Sequence, residues 1–177
     1  ADRVPTSRSR GLGVTRLLSL YVETSVFGFA LEDRARNREM WTSTTALFDA
    51  IRAGRFAGYV SDYSLAELGA TGDPDLRRRL LALPGQYGLQ RLPAHPGAGD
   101  VARVLVERGL VPAGKAADAE HLAMMAVQPG LDVLVSWNYR HIVNVSVKRS
   151  LSPVLLEMGF RIGFEIATPQ EVLGQDE

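Results

Sequence analysis

Leu131-Asp132-Val133-Leu134-Val135-Ser136-Trp137-Asn138 carries the clearest sign of how this chain folds. The strand read here, Leu131–Ser136, is rich in Val and Leu and does not alternate with polar residues, so it is expected to be buried on both faces. That is the mark of a parallel sheet covered by helices. Working back toward the N-terminus, Lys115–Val127 and Gly99–Arg108 read as helices and Tyr87–Leu92 as a strand. Asp73–Leu83 reads as a helix with Asp73 as N-cap and Pro74 at its first position. Tyr63–Ala70 is a short helix, and Phe56–Ser61 is a strand entered through Gly54 and Gly58. Met40–Ala53 places Leu47, Ala50 and Ile51 on one helical face. Leu17–Val22 is the first strand. Toward the C-terminus, His141–Lys148 and Ser152–Met158 are expected as helices and Arg161–Ile166 as the last strand. Strands alternating with helices predict an α/β fold with helices on both faces of a parallel sheet.

In such sheets, binding sites lie beyond the carboxyl ends of the strands, where the strand order reverses. Two strand ends draw attention for this reason. One is Tyr21-Val-Glu23-Thr24-Ser25 and the other is Val135-Ser136-Trp137-Asn138.

Composition narrows the chemistry. The 177 residues suit one domain. Twenty basic residues balance twenty acidic ones, which excludes a strongly basic nucleic-acid coat. Residues 1–16 read as a mobile, Arg-rich leader, and 17–177 as the single domain. That domain holds 16 basic and 19 acidic residues, net −3. Eighteen of the basic residues are Arg, whose planar fork suits phosphate. Cysteine is absent, so thiol nucleophiles, disulfides and zinc knuckles are excluded. No apolar run reaches the ~18 residues of a membrane span, and a cytoplasmic location is the default.

Several motifs fail on inspection. Gly109–Ala116 nearly spells a P-loop, but Ala116 stands where a Ser or Thr must hold magnesium, and the preceding segment reads as helix. Gly11-Leu12-Gly13 precedes its strand instead of following it, against a dinucleotide fingerprint. Neither a G-x-S-x-G elbow nor an H-E-x-x-H helix occurs.

What remains is a set of polar residues in apolar settings. Glu23 interrupts two apolar runs, and a buried carboxylate must be paired or bind a cation. Glu67 lies soon after the second strand. Asp118 shares a helical face with His121, Leu122 and Met125, so it is directed inward near a helix start. Asn138 follows the fourth strand, with His141 three residues on. Three carboxylates and an amide at strand ends and helix starts suggest an oxygen-ligand site suited to Mg²⁺ or Mn²⁺. Without cysteine or clustered histidine, zinc is the poorer fit.

Four segments together resemble the PIN-domain proteins found as toxin ribonucleases of VapBC toxin–antitoxin pairs. They are Tyr21–Val26, Ser61–Leu68, Lys115–Ala123 and Asp132–Ile142. The last is similar to a bacterial subgroup with Trp-Asn and Arg-His here and a Thr-Pro-x-Glu ending, present as Thr168-Pro169-Gln170-Glu171. The resemblance implies a five-stranded parallel sheet of order 3-2-1-4-5. In that order strands one and four are neighbours, so Glu23 and Asn138 meet at the switch point.

The resemblance also implies a function. The family's acidic quartet falls on Glu23, Glu67, Asp118 and Asn138, which become the expected catalytic and Mg²⁺- or Mn²⁺-holding residues, with Thr24 or Ser25 as the hydroxyl after the first acid. His121, Arg140 and His141 are expected beside the site. Arg34, Arg36 and Arg38, with Arg77, Arg78 and Arg79, are candidate guides for an RNA backbone. The implied activity is metal-dependent endoribonucleolysis by activated water, with RNA as substrate, a small antitoxin protein as partner and a homodimeric state. Glu23 stands where the family usually has Asp, and Asn138 where it often has Asp. The competing expectation is therefore a weakly active or inactive PIN-like module that binds RNA or a protein.

Overall fold

The computed structural model describes residues 16–32, 35–160 and 163–174. Five strands form one parallel sheet in the order β3-β2-β1-β4-β5, with helices packed on it. The strands are β1 (Ser19–Val22), β2 (Ala57–Ser61), β3 (Gln90–Leu92), β4 (Val133–Val135) and β5 (Glu165–Ala167). The α-helices are α1 (Thr24–Leu31), α2 (Arg38–Arg52), α3 (Asp62–Gly69), α4 (Pro74–Gln86), α5 (Ala98–Glu107), α6 (Ala116–Val127), α7 (Val145–Glu157) and α8 (Pro169–Leu173). The α/β class and the strand order agree with the expectation.

The sheet divides two apolar layers. Leu20 and Val22 of β1 join Val133 and Val135 of β4 on one side, with Phe27, Leu47, Phe48 and Leu80. Tyr21 and Leu134 face the other side, among Leu105, Leu122, Met124 and Leu155. This is why β4 lacks alternation: all three of its residues are buried, whichever way they point. At ~25 cal/mol per Å² of buried apolar surface, two filled layers supply most of the drive to fold. Gly58 marks a close approach, since a Cβ there would come within 2.7 Å of Ile51 Cγ2 on α2. Gly54, which ends the α2 turn, has a φ of +77°.

The caps follow the sequence in part. Asp73 Oδ1 accepts from the amides of Asp75 and Leu76, and Pro74 opens α4 as expected. Two helices were not expected. The first is α1, capped by Glu23. The second is α8, whose Thr168 and Glu171 form a reciprocal capping box. One expectation is corrected: the two C-terminal helices are a single α7, with Pro153 inside it. It begins only at Val145, because Asn144 accepts the Val147 amide and caps it there, while residues 139–143 form turns. Among the described residues the last strand starts at Glu165, later than expected, and Arg161 and Ile162 of the expected span lie outside them. Residues 1–15 of the expected leader lie outside the described residues. Arg16 donates to Asp132, whose other oxygen accepts the Ser19 amide at 2.7 Å, fastening the starts of β1 and β4.

Candidate metal centre

β1 pairs with both β2 and β4, so the strand order reverses at this strand. Its carboxyl end is therefore the switch point. Glu23 follows Val22 directly and its amide donates to Val135 O at 3.0 Å. The residue is 3% exposed, and its carboxylate accepts from the Ser25 amide, the Ser25 hydroxyl and Ser136 Oγ. Three donors satisfy the oxygens of this buried carboxylate. Ser25 Oγ accepts in turn from the Trp137 amide at 2.9 Å, so the β1 and β4 ends are laced together.

Glu67 comes from α3. Ser61, the last residue of β2, caps that helix, and Glu67 lies in its second turn. Its half-exposed carboxylate accepts from Thr24 Oγ1 at 2.8 Å and lies 3.1 Å from His121 Nε2. The His121 hydrogen bond is the main reason its pKa sits below the ordinary glutamate value. Thr24 and the charge of His121 add to this, and burial opposes it.

His121 comes from α6 and is 1% exposed. Its Nδ1 lies 2.7 Å from the Tyr21 hydroxyl, which lies 2.7 Å from Ser61 Oγ. Its Nε2 faces the acids, 3.1 Å from Glu67 and 4.0 Å from Glu23 Oε1, with Thr24 Oγ1 at 3.4 Å. Burial works against the charged imidazole. The Tyr21 oxygen, Glu67 and Glu23 outweigh it and hold its pKa well above the ordinary histidine value.

Among the described residues, one ligand atom each from Glu23, Glu67 and His121 lies within 4.8 Å of the others. A divalent ion takes such ligands at about 2.0–2.2 Å, so neighbouring ligand atoms stand roughly 3–4 Å apart. Two carboxylates and an imidazole thus fit a divalent cation with small side-chain movement, the cation taking the place of the proton on His121 Nε2. The expectation of an all-oxygen donor set changes here, because the fold brings one histidine nitrogen to the two acids.

The other expected residues form a neighbouring group. Asp118 Oδ1 accepts from Asn138 Nδ2 at 2.9 Å, and Asp118 Oδ2 lies 2.9 Å from His141 Nδ1. Asn138 Oδ1 accepts the His141 amide at 3.0 Å. Ser136 joins the two groups: its hydroxyl donates to Glu23 and accepts the Asn138 amide at 2.9 Å. The expected quartet is therefore divided, with Glu23 and Glu67 at the metal group and Asp118 and Asn138 beside it.

The arginines are less concentrated. Arg140 is exposed on the loop after β4. Arg36 and Arg38 are exposed at the start of α2, and Arg34 lies outside the described residues. Arg77 donates to Thr71 O, Arg78 pairs with Asp75 one turn earlier, and Arg79 is exposed. Tyr21, Ser61 and Ser136 were not singled out from sequence. Their signal was present as polar atoms on otherwise apolar strands, which need partners once buried.

No protein-family model matches the chain, and no curated protein matches it either.

Proposed function

We propose that this chain is a metal-dependent endoribonuclease of PIN-like fold. The observation that carries the reading is the convergence of Glu23, Glu67 and His121 at the switch point of a 3-2-1-4-5 sheet. These three residues would hold the ion, with Mg²⁺ and Mn²⁺ the first candidates. When bound, such a cation activates water and offsets the charge that develops on a phosphodiester.

The protein's own groups prepare that place. Ser25 and Ser136 hold the Glu23 carboxylate, and Thr24 holds Glu67. Tyr21 fixes the ring of His121 so that Nε2 faces both acids. Arg140, exposed on the loop after β4, would hold a flanking phosphate. RNA as the substrate rests on the four-segment resemblance. A toxin role in the cytoplasm, a small antitoxin partner and a homodimer rest on it too. No described helix is long and apolar enough to cross a membrane.

The direct test is cleavage of single-stranded RNA by the full chain with Mn²⁺, compared with EDTA and with Glu23→Gln. Metal-dependent cleavage that Glu23→Gln abolishes supports the reading. Absence of cleavage by the wild type with either ion sinks it. So does full activity in the variant.

A further inference from the structure

We propose that His141, oriented by Asp118, is the catalytic residue that delivers the proton to the departing oxygen of the phosphodiester; this rests on the nuclease reading above. The geometry of the Asp118–Asn138–His141 group carries it. These three residues form a closed ring of hydrogen bonds. Asp118 is held through both oxygens, Asn138 through both ends of its amide, and His141 through Nδ1 and its backbone amide. The imidazole is thus fixed in position and tilt, with its Nδ1–H directed at a carboxylate.

Its other nitrogen is open. The His141 side chain is 14% exposed, and among the described residues Nε2 has no hydrogen-bond partner. No buried side-chain nitrogen or oxygen among them lacks a partner, so Nε2 meets solvent. A carboxylate behind Nδ1 and a free Nε2 in front is the arrangement an imidazole needs to pass a proton to a reacting group. A structural histidine is usually satisfied at both nitrogens, whereas this one is fixed on one side and open on the other.

Its position relative to the metal group is suitable. Asp118 and His121 lie three residues apart on α6, so their side chains neighbour each other on one helical face, about 5–6 Å between Cβ atoms. From the other side, Asn138 reaches Glu23 through Ser136 in two hydrogen bonds of 2.9 and 2.7 Å. The Asp118–Asn138–His141 group thus adjoins the metal group, and on this proposal the departing oxygen of a phosphodiester held at Glu23, Glu67 and His121 is set against His141 Nε2. The balance of the step is simple. Water forms a new O–P bond and its proton passes to solvent. The P–O bond to the leaving oxygen breaks, and that oxygen takes the proton from His141 Nε2 to become an alcohol. The imidazole then regains a proton from solvent.

The test separates proton delivery from structure by changing the leaving group. An alcohol leaving group needs a proton, whereas p-nitrophenolate departs without one. His141→Gln and wild type would be compared on single-stranded RNA and on bis(p-nitrophenyl) phosphate, both with Mn²⁺. Mn²⁺ affinity would be measured by calorimetry for each protein. The expected result is a loss of at least about 100-fold on RNA against less than about fivefold on the aryl diester, with Mn²⁺ affinity kept within twofold. Equal losses on both substrates, or none on RNA, overturn the proposal and leave the nuclease reading standing. A wild type inert toward both substrates overturns the nuclease reading and this inference with it.

Discussion

The Tyr21 hydroxyl and His121 Nδ1 lie 2.7 Å apart inside the apolar layer between the sheet and α6. Tyr21 is fully buried and His121 nearly so, and Ser61 completes the chain of contacts. Replacing Tyr21 with Phe removes one oxygen and leaves His121 and Ser61 each short of a partner. A buried polar atom left unpaired costs about 1–3 kcal/mol. Tyr21→Phe is therefore expected to lower stability by that order in urea denaturation with EDTA, and to weaken Mn²⁺ binding about tenfold or more through the loosened imidazole. Unchanged values of both would show that the contact does not orient the ring.

Glu67 is half-exposed, so solvent screens its pairing with His121 and removing its charge should cost little stability. Glu67→Gln is expected to lose at least tenfold in Mn²⁺ affinity while its Tm stays within about 2 °C of wild type. Titration calorimetry beside thermal denaturation checks this. Retained affinity would remove Glu67 from the ligand set.

Ser136 serves both polar groups at once, since Glu23 and the Asn138 amide share its hydroxyl. Ser136→Ala should cost about 1–3 kcal/mol, because Glu23 stays buried with one donor fewer. It should also lower RNA cleavage more than it lowers Mn²⁺ binding, since it frees Asn138 and the groups behind it. Equal effects on both would mean that Ser136 supports Glu23 alone.

Asp132 gives a prediction in pH. Burial pushes its pKa up, but Arg16 and the Ser19 amide overcome this and hold it below the ordinary aspartate value. A carboxylate with a depressed folded pKa stabilises the fold fully above its unfolded pKa of about 3.9, and the contribution is lost as pH falls through the folded value. Asp132→Asn should therefore lower Tm by about 3 °C at pH 7, and the gap from wild type should close as pH falls below about 4. A gap that persists unchanged at pH 3 would refute the assignment.

The architecture was largely legible because its signals are local or follow from one simple pattern. Val133–Val135 lacks alternation, and both of its faces are covered. Asp73 followed by Pro74 marks a helix start in any context. The strand order was not written in any one strand; it followed from the resemblance of four separated motifs. α1 was hidden because its first residues, Thr24 and Ser25, serve the acids while the rest is apolar all round, leaving little helical periodicity. Pro153 and the turns at residues 139–143 obscured α7. Glu23, Glu67, Asp118 and Asn138 all fall near the switch point, but their grouping was not legible. That depends on which carboxylate the α6 face turns toward β1, and packing brings His121 there, with Asp118 beside it facing Asn138 and His141.

The candidate metal group has a consequence for how the protein is made. Its three members are far apart along the chain: 54 residues separate Glu67 from His121, and Thr24, next to Glu23, is 97 residues from His121. Two polypeptide crossovers must be completed before α6 can present its imidazole to the acids on β1 and α3. A nascent chain emerging from the ribosome therefore carries its acids long before it carries their third partner. An incomplete product ending ahead of α6 has no assembled centre. The candidate centre is complete only once synthesis has passed residue 121, a delay set by chain order.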